Sequence, residues 1–240
     1  MPGFKRVLVV LLIFLGPGLV IYFIATTVRN KFIEPPYLGY EYTLDAEGNK
    51  IDSTAYQIPD FELTRFDGVK ITRDSIQDKY IILTTIQNPC PKLEECALGI
   101  YMFNELLFEK ILNTRESYEN VRVMSILTNE DGEPIYDPPS EILMDEMSQY
   151  DPHFWWLVQG DPKPFYNWNH KGQNFLTIPS QPTLGEIGKY DFTNCLVLID
   201  KEGYIRGVSG AKRDGDIRNF FDFLKLLKKI EFDKAHGIEY

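Results

Sequence analysis

The longest apolar run stands near the front of the chain. Val7 to Val28 is 22 residues without a charge, bracketed by Lys5-Arg6 and Arg29. Wound as a helix, it would extend ~33 Å at 1.5 Å per residue, about the thickness of a bilayer's hydrocarbon core. Gly16-Pro17-Gly18 interrupts it, a break that neighbouring groups can re-satisfy in a membrane. A cleaved signal peptide is the competing reading. It would need a small-residue site, which here is only Ala25-Thr26-Thr27, and no cysteine lies nearby to carry a lipid. Residues 1–29 therefore read as an uncleaved, single-pass transmembrane anchor. Lys5 and Arg6 precede it and Arg29 and Lys31 follow it, and the start of the chain favours N-in, C-out. The expectation is a cytoplasmic (inner) membrane protein with its bulk on the periplasmic side.

After the anchor, residues 30–57 read as a linker, opened by Pro35-Pro36 and carrying turn chemistry at Asp45-Ala46-Glu47-Gly48-Asn49. From Ile58 the patterns alternate. Phe61–Thr64 and Val69–Thr72 flank Phe66-Asp67-Gly68, a short hairpin. Tyr80–Ile86 is a continuous apolar run, as a strand buried on both faces requires, and Val121–Leu127 reads as a second central strand. Between them Ile100, Phe103, Leu107 and Ile111 recur at helical spacing. Residues 139–150 predict a helix starting around Pro139-Ser140, and Phe154–Val158 a short strand. Leu196–Asp200 and Tyr204–Ser209 flank a turn at Lys201-Glu202-Gly203. A helix starts near Asp214, with Ile217, Phe220, Phe221, Leu224 and Leu227 on one face and basic residues near its end. The order is a β-hairpin, then β-α-β-α, then a closing β-hairpin and helix. This predicts a thioredoxin-like α/β domain over 58–230, a central sheet flanked by helices, with 231–240 as a polar tail.

Composition narrows the functions. In 240 residues, 44% are hydrophobic and 14% aromatic, ample for a core, and 25 basic against 35 acidic residues give a net charge of −10. That sign argues against nucleic-acid binding. Three cysteines do not make a disulfide framework. The chain has no C-x-x-C, G-x-S-x-G or H-E-x-x-H motif and no phosphate-binding glycine loop. A peroxiredoxin-like P-x-x-x-T-x-x-C is also absent, since Leu83 and Gln87 hold its proline and threonine positions.

Four segments carry a likeness in the right order. They are Ile58-Pro59-Asp60-Phe61-Glu62-Leu63 with Asp67-Gly68, Tyr80 to Cys90-Pro91, Trp155-Trp156-Leu157-Val158-Gln159-Gly160-Asp161, and Leu198-Ile199-Asp200-Lys201-Glu202-Gly203-Tyr204-Ile205-Arg206-Gly207. Over residues 58–230, with the anchor, the chain resembles the Sco/SenC family, membrane-anchored thioredoxin-like proteins associated with building the copper centre of cytochrome oxidase. The resemblance implies an accessory factor rather than a turnover enzyme. It would act by copper delivery or thiol–disulfide exchange, with a cytochrome oxidase subunit or another membrane respiratory protein as partner. It also implies a thiol pair at Cys90 and Cys96 that serves as redox couple or as copper ligands. The family's loop is C-x-x-x-C-P with a histidine just before the closing hairpin. Here the cysteines are two residues farther apart, in C-P-K-L-E-E-C, Ala97 stands where a proline is expected, and the histidine's place falls at Phe192 or Asp191. A degenerate binding module without metal or redox activity is the alternative.

Thiolates and imidazole suit Cu(I). If 90–96 were fully helical, Cys90 and Cys96 would lie ~9 Å apart along the axis and ~120° apart around it. A disulfide, whose Cα atoms lie within about 7 Å, or a shared metal, therefore requires a non-helical path through Pro91–Leu93. Glu94 and Glu95 oppose thiolate formation nearby. A disulfide, a metal site and two unpaired thiols all stay open. Cys195, at the start of the LVLID strand, reads as a small core residue. His153 and His170, set among aromatics, read as surface or packing residues, and His236 belongs to the polar tail. The aromatic stretches Phe154–Trp156 and Tyr166–Trp168 read as core or as a docking surface.

Overall fold

The computed structural model describes residues 15–23, 34–89, 100–129, 132–147, 149–170, 173–174, 195–211 and 213–238. The chain divides into two units, residues 35–225 and residues 1–34 with 226–240. In the smaller unit residues 15–23 are helical, and Lys234 Nζ meets a Glu34 carboxylate oxygen at 2.6 Å. Among the described residues no helix is long and apolar enough to cross a membrane; the rest of the 7–28 run lies outside them.

The larger unit opens with an antiparallel pair, β1 (Tyr40–Leu44) and β2 (Lys50–Ala55), inside the stretch read as a linker. Both strands are mostly exposed; Tyr40, Tyr42 and Leu44 alternate with Glu41 and Thr43 as a strand does, but the partner strand Lys50–Ala55 has no such alternation. The turn is built on Asp45, which accepts from the Asn49 side chain at 3.0 Å and its backbone N–H at 2.7 Å. These bonds hold its carboxyl below the usual range, the side-chain bond first. Packing begins ahead of Ile58, because Leu38 and Tyr56 already belong to the core.

The hairpin of β3 (Glu62–Arg65) and β4 (Lys70–Thr72) follows, then a helical turn, α1 (Arg73–Ile76), and β5 (Tyr80–Gln87). The next described helix has three parts: α2 (Ile100–Phe103), a wide π-type turn (Asn104–Phe108) and α3 (Glu109–Asn113). Next come β6 (Val121–Thr128), α4 (Glu141–Glu146), β7 (Trp155–Gln159) and α5 (Lys163–Tyr166). A two-residue hairpin, β8 (Asn169–His170) with β9 (Gln173–Asn174), precedes β10 (Cys195–Ile199), β11 (Ile205–Gly210) and α6 (Asp214–Ala235). The helix predicted over 139–150 is shorter than its pattern. Ser140 Oγ caps it by accepting from Leu143 N at 3.2 Å, and the backbone of Met147 has left the helical region.

Seven strands form one mixed sheet in the order β11-β10-β5-β6-β7-β3-β4. β5, β6 and β7 are parallel, in register from Tyr80↔Val121 to Gln87↔Thr128 and from Val123↔Trp155 to Ile126↔Val158. β10 pairs antiparallel with β5, and β3 with β7. A central parallel pair joined through a helix, closed by an antiparallel hairpin and a helix, is the thioredoxin-like arrangement. Alternation along the strands sends Ile81, Leu83, Met124, Trp156 and Val197 to one face, where Ile58, Leu63, Phe165 and Trp168 cover them. Trp155 takes the other face, 5.0 Å from the Phe103 ring and 4.7 Å from Phe108, and its Nε1 donates to the buried Ser125 Oγ at 2.8 Å. Both aromatic stretches are therefore core and not a docking surface: Phe154, Trp155, Trp156, Tyr166 and Trp168 are all buried.

The β10–β11 turn holds a buried ion pair. Asp200 Oδ2 accepts from Arg206 Nη1 at 3.0 Å, with the side chains 4% and 3% exposed. Asp200 Oδ1 accepts from the backbone N–H of Glu202 and Tyr204, which turns Asp200 out of the strand pattern it seemed to continue. Arg206 Nη2 donates to Pro35 O at 2.7 Å, and its guanidinium lies over the Tyr37 ring.

Candidate functional site

Cys90 and Cys96 lie outside the described residues, and so do Phe192 and Asp191. The structure describes the frame on either side of 90–99. On one side β5, buried from Tyr80 to Ile86, ends at Gln87 and leads through Asn88-Pro89 toward Cys90. On the other, α2 starts at Ile100, fully buried.

Two asparagines hold this frame to one neighbouring segment. Asn88, 4% exposed, accepts from Ser140 N at 2.9 Å through Oδ1 and donates to Pro138 O at 3.0 Å through Nδ2. Its backbone N–H donates to Thr128 O, extending the β5–β6 ladder by one bond. Asn104, in the π-type turn, donates from Nδ2 to Glu146 O at 2.9 Å. Both ends of α4 are thus fastened, one to the exit of β5 and one to the helix that follows residue 99. Asn104 Oδ1 is buried without a hydrogen-bond partner. Wide turns of this kind recur at functional sites. No sequence signal marks either asparagine, since their bonds span 42 to 52 positions.

The other candidates separate clearly. Cys195 is fully buried at the start of β10, within the core cluster. If the register of Val197↔Leu83 continues, it comes level with Thr85, near the exit of β5. His153 lies by the opposite end of the parallel strands, where its Nε2 meets Glu119 Oε1 at 2.9 Å and its ring stands edge-on to Phe154. Eight residues of β6 separate that end from the Asn88 end, roughly 23 Å at strand rise. Beside His153, burial pushes the Arg122 guanidinium below its ordinary pKa, opposed by Glu119 and Asp151. His170 belongs to β8, and His236 stacks on Phe232 in the smaller unit. Among the described residues no three metal-ligating side chains of His, Cys, Asp or Glu come together.

No protein-family model and no curated protein matches the chain. Among solved structures, the chain is similar to a SCO1/SenC family lipoprotein from Bacillus anthracis str. Ames, with 17% identity, coverage of 71% of this chain and 95% of that one, and a TM-score of 0.47. Bradyrhizobium japonicum ScoI with copper bound is similar at 19% identity, over 72% of this chain and 100% of that one, with a TM-score of 0.44. The thioredoxin domain of a thiol-disulfide oxidoreductase from Bacteroides vulgatus is similar at 13% identity, over 71% and 96%, with a TM-score of 0.41. The strand order by itself assigns the chain a thioredoxin-like fold, and the solved structures it is similar to include Sco/SenC family proteins.

Proposed function

We propose that the chain is a membrane-anchored, Sco-like accessory protein in the assembly of respiratory cytochrome oxidase, acting by copper delivery or thiol–disulfide exchange, with Cys90 and Cys96 as its thiol pair. The observation that carries this reading is the exit of β5. β5, clamped at its exit by Asn88, leads in sequence to Cys90-Pro91, and the next described element is a helix. In thioredoxin-like sheets this strand-to-helix handover is where thiol chemistry is done. The partner would be a cytochrome oxidase subunit or another membrane respiratory protein. The anchor at residues 1–29 would hold the domain on the periplasmic face of the inner membrane.

In the exchange arm, one thiolate attacks a partner disulfide and forms a mixed disulfide. The second thiol then displaces the partner's sulfur. The partner gains two electrons and two protons while Cys90 and Cys96 become a disulfide. In the delivery arm, Cu(I) is cargo held by two soft thiolates, a chemically matched donor set. A second reading, a binding module without either activity, is favoured by two sequence observations: the cysteines stand six apart, and Phe192 or Asp191 occupies the expected histidine position.

A Cu(I) competition titration of the reduced full chain in neutral detergent, beside the Cys90→Ser/Cys96→Ser double variant, tests the delivery arm. Tight one-to-one binding lost in the variant supports cargo transport. If binding is equal, a dithiol–disulfide equilibrium against glutathione tests exchange. No measurable couple there would leave the module reading. In cells, fully metallated and active oxidase after deletion of the gene would sink the assembly role.

A further inference from the structure

From residue 123 to residue 162 the chain runs forty positions without a lysine or arginine while carrying nine carboxylates. Some of these are answered by cations from outside the run: Glu133 by Lys163 at 3.1 Å and Asp151 by Arg115 at 3.0 Å. Those on and just before α4 have no such cation among the described residues. Asp137, Glu141 and Asp145 are exposed, and none forms an ion pair among the described residues. Glu141 and Asp145 stand one helical turn apart, a spacing at which like charges destabilise the helix. Glu141 gains from the helix dipole in the first turn, while Asp137 and Asp145 have no ion-pair partner among the described residues.

Apolar side chains stand among these charges. Tyr136 is 68% exposed, Ile142 56% and Met144 37%, while Leu143 and Met147 turn inward and fix α4 to the body. The segment is a fixed platform, since Asn88 fastens it before its first turn and Asn104 at its last. Three exposed apolar side chains interleaved with three carboxylates that have no ion pair among the described residues, on a clamped helix beside the exit of β5, make a recognition surface.

We infer that this face docks a protein partner that presents apolar side chains among lysines and arginines. Charge decides the occupant. A second copy of this chain would bring the same carboxylates against themselves, and an anionic lipid surface would be repelled in the same way. A basic, apolar-centred surface gains both the burial of Tyr136, Ile142 and Met144 and the pairing of Asp137, Glu141 and Asp145. The inference deepens the function proposed above by naming the chemistry of the partner, and it rests on that reading for its purpose but not for its geometry.

The test uses the full chain in neutral detergent with a photoreactive amino acid at position 142. The probes are two synthetic peptides of equal length, one alternating leucine with lysine and one alternating leucine with glutamate. The expected result is cross-linking to the leucine–lysine peptide about tenfold above the leucine–glutamate peptide, falling several-fold between low and 0.3 M salt. Asp137→Asn/Glu141→Gln/Asp145→Asn, exposed changes that leave the fold intact, should cut the yield about tenfold, and a photoreactive residue at exposed Val69 should give none of this discrimination. Equal yields from the two peptides, an unchanged yield in the triple variant, or a cross-linked dimer of the chain as the main product would each overturn the proposal. Cys90→Ser/Cys96→Ser should leave the yield unchanged. A null copper or redox result therefore refutes the thiol reading without touching this one, and loss of cross-linking in that variant refutes this one.

Discussion

Replacing Asp200 by alanine strips one partner from the buried ion pair of the β10–β11 turn. The Arg206 guanidinium, 3% exposed, would keep Pro35 O and the Tyr37 ring but lose the Asp200 carboxylate. Breaking a buried pair from one side destabilises by about 3–5 kcal/mol, because the remaining charge stays desolvated. The backbone N–H groups of Glu202 and Tyr204 also lose their acceptor, an overlapping loss of roughly 1 kcal/mol each. Because the terms share one site, they do not simply add, and the expected loss is about 4 kcal/mol. Against a total of about 5–15 kcal/mol, that is a large fraction. Asp200→Asn keeps an oxygen for the two N–H groups and should recover about 1–2 kcal/mol of the loss. Asp200→Asn/Arg206→Met removes both charges and should fall much closer to the parent than either single change predicts. Urea unfolding followed by tryptophan fluorescence reads these differences as midpoint shifts at constant slope. A loss below about 1 kcal/mol for Asp200→Ala, the worth of an exposed pair, would refute the argument. So would strict additivity in the double variant.

Other perturbations follow from the same structure. Ser125→Ala leaves the Trp155 indole N–H buried without its acceptor and should cost about 1–3 kcal/mol in urea unfolding. Gly160→Ala meets both a positive φ of 144° and a clash of the new Cβ with Leu63 Cδ2; it should lower stability by about 1–3 kcal/mol, with part of that loss absent in a Leu63→Ala background. Ser140→Ala removes the cap of α4 and should cost about 1 kcal/mol in thermal unfolding, while the buried Leu143 keeps the helix in place. Burial, reinforced by Glu41, pushes the Tyr56 phenol above its ordinary value. The native state then keeps a proton that the unfolded chain releases above pH ~10, so stability falls as pH rises through that window. Tyr56→Phe should flatten that fall in a pH series of urea midpoints.

The sheet was legible where burial is continuous. Tyr80–Ile86 and Val121–Leu127 are apolar at five of seven positions because both faces of β5 and β6 are covered; the closing hairpin follows its pattern within a residue, and α6 starts as expected but runs on to Ala235, into the stretch read as a polar tail. The β1–β2 ribbon was only half legible, because Tyr40–Leu44 alternates apolar with polar residues while the exposed Lys50–Ala55 carries no periodic signal. The aromatic runs could be read two ways, and tertiary packing decides for the core. Of the candidate site, the sequence names Cys90 and Cys96, which lie outside the described residues. The clamp around them escapes the sequence because an asparagine's partner fifty positions away leaves no local trace.

The way β3 and β4 join the sheet has a consequence for the order of assembly. Their route into it is β7, through Thr64↔Gln159 and Arg65↔Val158, so the hairpin must wait for a strand some 95 residues downstream. At translation speeds of about 5–20 residues per second, that delay is about 5–20 s on the ribosome. Throughout it Leu63 and Ile71, cross-strand partners almost fully buried in the finished sheet, have only each other's strand beside them. Such distant pairings raise contact order and slow folding, which makes the nascent chain most exposed to aggregation between the emergence of residue 72 and that of residue 159.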